Sequence, residues 1–220
     1  MNKFLLVILF FNVFGFSQEF KFDKQFNYTS PSSKDKIIFG NSQNGDYVFK
    51  LREDSNGLYA HLEDYKTKLS HRFSVDSIKL NNNEYRLLFK YEYSSLDQRT
   101  FPINYFEYKL EYEDATHSYG SIYQYKNKKK KKLFSKIEIK VLKTNQNYFY
   151  IFRCLFIHPF EDTHRLNLNI NGILQEVTKF RLFKSGKEIN ESDYFKEIKL
   201  ISTNEVDFSV SVPKRRSYKN

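Results

Sequence analysis

The sequence predicts a mainly β protein, in which an antiparallel meander forms a curved sheet, half-barrel or barrel, with one short helix near residues 163–177. Apolar and polar residues alternate along most of the chain, and Asn, Gly and Ser turns separate about eleven short alternating segments. A sheet of that size usually curls or closes to manage its edges, and a β-sandwich is the alternative architecture. The outward faces carry Lys and Glu, which disfavours an outer-membrane barrel.

The first part of the chain predicts a series of paired strands. An apolar beginning at 20–28 is followed by a polar break around Pro31. Asn44-Gly45 and Asn56-Gly57 are hairpin turn sequences, and the segments on either side of the second turn should pair. The alternating segments predicted as strands here cover 37–39, 47–52, 58–63 and 69–75.

The clearest alternation lies between residues 85 and 113. The segments 85–93 and 106–112, joined by a connection with Pro102, predict an antiparallel hairpin. Tyrosines recur on its predicted inward stripe, and a buried phenol needs a hydrogen-bond partner or water. Either a partly wet concave face binds a glycan or amphipathic molecule there, or a thick core lets its phenols reach the rim, which is the more ordinary interpretation. The five candidate ligand-binding residues are Tyr85, Tyr91, Tyr93, Tyr108 and Tyr112.

The rest of the chain predicts more strands, a buried segment and the helix. Residues 148–157 carry Arg153 as their only charge and predict a strand buried on both faces. Apolar residues at 166, 170, 173, 174 and 177 follow helical spacing, although Asn171-Gly172 could equally be a hairpin turn. Further predicted strands cover 119–125, 137–141, 180–182, 198–200 and 206–212, the last two joined at Thr203-Asn204.

The first 17 residues predict a signal peptide. Lys3 precedes an apolar run at 4–16 that is too short to span a bilayer, and Gly15 and Ser17 suit a cleavage site before Gln18. We expect residues 18–213 to form a single β-rich domain without a transmembrane segment, followed by a basic tail at 214–220. The predicted location is the periplasm or the cell surface of a Gram-negative bacterium.

The net charge of +10 is concentrated in two tracts. The six lysines at 126 and 128–132 and the four basic residues at 214–219 equal the whole excess. A nucleic-acid reader spreads its basic groups over one face, so we expect no nucleic-acid partner. The first tract predicts a loop between adjacent strands, either solvated or in contact with anionic lipid or polysaccharide. The lysines assigned to that contact are Lys128, Lys129, Lys130, Lys131 and Lys132.

Short stretches carry a resemblance to known exported proteins. The leader ending Phe14-Gly15-Phe16-Ser17-Gln18 resembles export signals of the Bacteroidota. The segment 41–73, with Asp64-Tyr65-Lys66 and His71-Arg72-Phe73, is similar to uncharacterised exported proteins of flavobacteria. That resemblance implies no activity. The curved-sheet-plus-helix outline is also similar to periplasmic lipoprotein carriers, at the level of the fold.

The chain contains no catalytic motif that we recognise. Residues 158–164 are densest in metal-ligand types, and the candidate ligands are His158, Glu161, Asp162 and His164, but no motif spacing supports them. The single cysteine, Cys154, lies in an apolar segment where its thiolate is disfavoured. We expect no cofactor and no enzymatic activity. The predicted function is a non-enzymatic exported envelope protein that binds an amphipathic or glycan ligand on the Tyr-lined concave face. The alternative is a structural or protein-interaction module of the envelope without a small ligand.

Overall fold

The computed structural model describes residues 17–31, 33–81, 84–96, 105–156, 170–181 and 195–214. It confirms a mainly β protein with one antiparallel sheet of 11 strands. The strands are β1 (Ser17–Ser30), β2 (Ser33–Gly40), β3 (Tyr47–Asp54), β4 (Gly57–Asp64), β5 (Leu69–Asn81), β6 (Glu84–Leu96), β7 (Tyr105–Glu113), β8 (His117–Tyr125), β9 (Leu133–Leu142), β10 (Ile173–Arg181) and β11 (Phe195–Pro213). A 3-10 helix (Phe149–Ile151) leads into one short α-helix, α1 (Phe152–Phe156).

The sheet is open, and its order is β6-β5-β4-β3-β2-β1-β11-β10-β9-β8-β7. The first and last strands therefore pair at its centre, whereas β6 and β7 lie at its two ends. The predicted hairpin of 85–93 with 106–112 is wrong, because β6 pairs with β5 and β7 with β8. A period-2 pattern identifies a strand but does not name its partner.

Among the described residues, a short helix is present outside the predicted span. The sequence predicts a buried strand at 148–157, and 149–156 instead form the 3-10 helix and α1. A short apolar run cannot be told from a buried helix by its pattern. Within the predicted helix at 163–177, residues 173–177 belong to β10, and 163–169 lie outside the described residues.

Gly172 sets the start of β10. Its φ of 153° is a conformation that favours glycine, and an added Cβ would lie 2.4 Å from the Leu142 carbonyl oxygen. The Gly172 carbonyl accepts a hydrogen bond from the Tyr148 amide at 3.1 Å, which fixes the segment leading into the helices.

The predicted turn at Thr203-Asn204 is also wrong, because β11 runs through it as one strand of 19 residues.

Two apolar clusters occupy opposite faces of the sheet. Adjacent residues separate them: Ile38 and Val48 belong to the first cluster, and Phe39 and Phe49 to the second. The first cluster packs the two short helices against strands from both halves of the sheet, and its largest buried members are Phe26, Tyr28, Tyr148, Phe152, Ile38, Ile122, Ile137 and Ile151. The second fills the curl of the first six strands and the end of β11, with Phe20, Phe22, Phe39, Phe49 and Phe73 among its members.

A bulge lets β1 serve both clusters. Phe22 pairs with Phe208 and Lys24 with Glu205, so the β1–β11 register shifts around Asp23. Side chains before the shift enter the second cluster and those after it enter the first. The Asp23 carboxylate accepts hydrogen bonds from the Ser42 amide and the Tyr148 hydroxyl. The bulge is thereby tied to the helical segment.

Candidate functional site: a cleft between β2 and β3

The site lies where β2 and β3 separate. Their ladder contains three residue pairs among the described residues, from Ile37 with Leu51 to Phe39 with Phe49. Past Ile37 and Leu51 the two strands diverge, although β3 remains paired with β4 as far as Asp54. The divergence opens a cleft of about 660 Å³, lined by Asp35, Lys36, Ile37, Ile38, Lys50, Leu51, Arg52, Glu53, Leu58, Tyr59 and Cys154.

The two sides of the cleft differ in character because side chains alternate along each strand. On the helix side, which carries Ile38, the alternation places the cations Lys36, Lys50 and Arg52. On the opposite side it places Ile37, Leu51 and Leu58, the first two of which pack against the second cluster, together with the exposed carboxylates of Asp35 and Glu53. One side of the cleft is therefore cationic, and the other combines apolar side chains with two carboxylates.

A buried ion pair forms the floor of the cationic side. The Lys50 ammonium lies 2.7 Å from the Glu63 carboxylate, and both side chains are only 7% exposed. Charges this deep are tolerated only as close pairs, because each alone would lose its hydration without compensation. Lys36 and Arg52 are the other two cations on this side.

Cys154 brings α1 to the cleft. Its thiol donates to the Ile151 carbonyl at 3.0 Å. Burial raises the pKa of the thiol to about 11, although nearby Lys50, Lys36 and Arg52 act in the opposite direction. The thiol therefore stays protonated at neutral pH, which agrees with the expectation that its thiolate is disfavoured.

An aromatic and cationic rim continues the site across β4 and β5. The Arg72 guanidinium lies 4.1 Å from the centre of the Tyr59 ring, which itself lines the cleft. The Arg72 guanidinium forms ion pairs with Glu92 at 3.0 Å and with Asp54 at 3.6 Å. These contacts hold the Tyr59 ring in place at the rim.

His61 stands beside the ion pair. It lies opposite Lys50 on one side and Arg72 on the other, and its Nδ1 is 2.9 Å from the Ser70 hydroxyl. Burial is the main cause that lowers its pKa from 6.5 to about 4; Arg52, Lys50 and Arg72 lower it further, and Glu63 opposes them. The imidazole is therefore neutral at neutral pH.

We predict that His61 makes the folded protein less stable in mild acid. Between its unfolded pKa of 6.5 and its folded pKa of about 4, the unfolded chain binds the proton that the folded chain excludes. The free energy of unfolding should therefore fall by about 2 kcal/mol between about pH 7.5 and pH 5. Urea unfolding at several pH values measures it, and His61→Asn should remove most of that slope. An unchanged slope in the variant would contradict the assignment.

The four predicted tyrosines whose side chains the structure describes do not share one face. Tyr91 packs against the second cluster and its hydroxyl lies 2.8 Å from that of Ser94. Tyr93 pairs with Arg72 on the opposite face, because a register shift between Arg72 and Phe73 divides the two tyrosines. Tyr85 lies in β6, and its side chain is outside the described residues.

The other two tyrosines lie on β7, at the far end of the sheet. Tyr108 packs against the first cluster, over Gly120. Tyr112 is 57% exposed and turns to the outer face, because the β7–β8 register shifts between Leu110 and Tyr112. These four described tyrosines therefore do not line one concave face.

The remaining candidates divide between described and undescribed parts of the chain. His158, Glu161, Asp162 and His164 lie outside the described residues, and the described ranges hold no group of three or more such side chains placed to bind a metal ion. Lys128–Lys132 form an exposed turn between β8 and β9, which confirms the predicted loop. Of the basic tail, only Lys214 is described.

The cleft itself was not anticipated from the sequence. Its charged residues sit in strands whose alternation looks like a solvated outer face, and only pairing shows that Lys50 and Glu63 are buried. A partial signal existed: Asn56-Gly57 taken as a two-residue turn places Lys50 opposite Glu63, whereas the structure turns at Ser55-Asn56 and pairs Lys50 with His61, diagonal to Glu63.

Nothing in the described ranges is a helix long and apolar enough to cross a membrane. The chain matches no protein-family model, and it shows no significant similarity to a curated protein or to a solved structure.

Proposed function

We propose that this is an exported, non-enzymatic protein of the cell envelope that binds an amphipathic molecule with an anionic group in the β2–β3 cleft. The observation that carries the proposal is the division of the cleft into a side with three cations and an opposite side where Ile37, Leu51 and Leu58 lie beside the exposed carboxylates of Asp35 and Glu53. Its volume of about 660 Å³ is in the range of small-molecule sites.

The two sides suit the two parts of such a ligand. Arg52 is exposed and Lys36 half-buried, so both can approach an anionic group without leaving the surface. Lys50 lies deeper and is ion-paired with Glu63, so it attracts an anionic group through its electric field rather than by direct contact. On the other side, Ile37, Leu51 and Leu58 offer apolar area to a hydrocarbon or ring system.

The export part of the proposal rests on the leader. A positive residue, a short apolar run and Gly15-Phe16-Ser17 precede the charged segment that begins β1. Processing should leave a protein that starts at Gln18, in the periplasm or at the surface of a Gram-negative bacterium. Mass spectrometry of the protein made in such a host checks the new terminus.

Calorimetric titration with laurate tests the binding site. Laurate carries one carboxylate and an apolar chain, and dodecanol has the same chain without the charge. We expect one laurate to bind per chain, with dodecanol at least about tenfold weaker because it forfeits the charge-assisted contacts. The double variant Lys36→Ala/Arg52→Ala should weaken laurate by a similar factor.

A matched variant controls for net charge. Lys66→Ala/Lys79→Ala removes two exposed cations away from the cleft and should leave laurate affinity within about twofold. Equal weakening by both double variants would show that only overall charge matters. No laurate binding to the unaltered protein would overturn the cleft as an amphipath site.

A structural or protein-interaction role is the second candidate, and the open sheet edges favour it. Leu88 and Leu96 on β6 and Leu110 on β7 are each at least 40% exposed on strands that end the sheet. A partner could add a strand at such an edge. Leu88→Lys and Leu110→Lys should then abolish partner capture while laurate binding persists.

A further inference from the structure

The outer face of β7–β9 carries a line of tyrosines that the cleft does not use. Ile122 of β8 is fully buried in the first cluster, so the residues of opposite parity on this strand point away from the helices. Tyr119, Tyr123 and Tyr125 are the half-buried tyrosines at those positions. They span about 20 Å along the strand at the usual rise per residue.

One end of the line is a stacked pair. The Tyr112 and Tyr119 rings lie 4.2 Å apart and nearly parallel, at 11°. Tyr112 is more than half exposed, and the Lys140 ammonium lies 5.8 Å from the Tyr119 ring. The pair gives the face a flat, exposed aromatic surface with a cation beside it.

The other end of the line is the lysine loop. Tyr125 is the last residue of β8, directly before the turn that carries Lys126 and Lys128–Lys132. The turn is closed by the Lys126 amide bonded to the Lys132 carbonyl at 2.9 Å, and Lys130 adopts a positive φ of 52°. The Lys130 ammonium pairs with Glu107 of this face at 2.9 Å, which draws the loop toward the tyrosines.

Among the described ion pairs of this face, charge is unbalanced at the loop end. Along the strands, Lys136 pairs with Glu138 and Lys140 with Glu176. The loop contains six lysines. Among the described ion pairs of the turn, one of these lysines, Lys130, is paired with a carboxylate, that of Glu107. The face therefore joins aromatic planes to a concentrated positive charge.

We propose that the outer face of β7–β9 binds an acidic polysaccharide, whose sugar rings stack on the tyrosines while its carboxylates or sulfates meet the lysine loop. The apolar faces of sugar rings pack on flat aromatic side chains, and the phenol hydroxyls and lysines supply hydrogen bonds. A linear polymer can follow a line of about 20 Å, which a compact ligand cannot. This surface is separate from the cleft.

A membrane surface is the competing occupant, and the loop disfavours it. Stable membrane contact needs apolar side chains beside the basic ones, and the turn residues 126–132 are Lys and Asn throughout. The aromatic groups lie along the strand behind the turn rather than at its tip. Electrostatic contact with lipid would use the lysines but leave the tyrosines without a role.

Binding to immobilised polygalacturonate tests the proposal, with dextran as the neutral polymer and polyglutamate as the acidic polymer without sugars. We expect the intact protein to bind polygalacturonate, to bind dextran at least about tenfold more weakly, and to weaken steeply with added salt. Replacing the six loop lysines with Ser and Asn should cost at least about tenfold, whereas Lys66→Ser/Lys79→Ser, on the other half of the sheet, should cost less than about twofold.

Aromatic variants separate stacking from charge. Tyr112→Ala/Tyr119→Ala should lose at least about fivefold, and Tyr112→Phe/Tyr119→Phe, which keeps both rings, should retain most of the affinity. Thermal melts confirm that the variants are folded, and Tyr123→Ala serves as a second, independent loss of one ring.

Three outcomes would overturn the proposal. The first is equal binding to polyglutamate and polygalacturonate, which means charge alone. The second is no binding to polygalacturonate at low salt. The third is co-sedimentation with phosphatidylglycerol vesicles that exceeds polygalacturonate binding and is unaffected by the Tyr→Ala changes, which assigns the loop to a lipid surface.

Discussion

Replacement of Lys50 by methionine is expected to destabilise the folded protein by about 3 to 5 kcal/mol. The Lys50–Glu63 pair is 2.7 Å long and both side chains are 7% exposed. Without the ammonium, the Glu63 carboxylate would remain charged in a site that water barely reaches, or would have to take up a proton. Urea denaturation at neutral pH measures the loss.

Two further variants show whether burial causes it. Lys50→Met/Glu63→Leu removes both charges and should recover most of the stability, because no buried charge is left unpaired. Lys136→Met breaks a pair of nearly equal length, 2.6 Å to Glu138, whose side chains are 35% and 48% exposed, and it should cost less than about 1 kcal/mol. A similar loss for Lys50→Met and Lys136→Met would contradict the argument.

The recovered double variant also separates stability from binding. If Lys50 acts on a ligand only through its field, laurate affinity should fall less in Lys50→Met/Glu63→Leu than in Lys36→Ala/Arg52→Ala, whose side chains reach the open part of the cleft. Calorimetry on the same preparations makes that comparison.

Local pattern was enough to predict the class and most strands of this fold. Alternation at 47–52 and 58–63 around Asn56-Gly57 corresponds to β3 and β4, and the lysine run is the turn between β8 and β9. Such features depend on neighbours in sequence, through turn geometry and the two-residue period. They do not depend on what the rest of the chain does.

Pairing over long distances was not predictable in the same way. The central pair, β1 with β11, joins residues near 20 to residues near 210, and no local pattern encodes that choice. The hairpin expected between β6 and β7 does not form, because β6 pairs with β5 and β7 with β8, which places the two strands at opposite ends of the sheet. The apolar run at 149–156 suited a strand or a short buried helix equally, and packing between the sheet halves decided it.

Register shifts explain why the described tyrosines of the predicted ligand site do not share one face. The sequence places Tyr91 with Tyr93, and Tyr108 with Tyr112, on one side by counting in twos. In each strand a register shift lies between the two tyrosines, so their side chains point to opposite faces of the sheet. Alternation does hold for the outer tyrosines of β8, because β8 pairs with β9 without a shift from His117 to Gln124, and beside β7 the extra residue lies on β7, between Leu110 and Tyr112.

Phe49→Ala is expected to cost about 3 to 5 kcal/mol, comparable with loss of the adjacent buried charge on the other face of β3. Phe49 is fully buried, and its ring centre lies within 4.9 to 6.1 Å of five other rings: Phe22, Phe39, Phe73, Phe89 and Phe208. These neighbouring rings can fill little of the cavity that the lost phenyl ring leaves, because each ring is held in place by its own strand.

The position of these rings makes the effect more than a local cavity. Phe89 belongs to the end strand β6, Phe208 to the central strand β11, and their rings stack at 5.6 Å, so the curl of the sheet depends on contacts that Phe49 supports from inside. Phe49→Ala should therefore speed amide exchange in β6 beyond what the global loss explains, whereas Tyr112→Ala, which removes an exposed ring from the opposite end of the sheet, should leave β6 protection unchanged. Uniform acceleration throughout the sheet in Phe49→Ala would show that the curl does not open on its own. In that case β6 would be held by its ladder with β5 rather than by the ring stack.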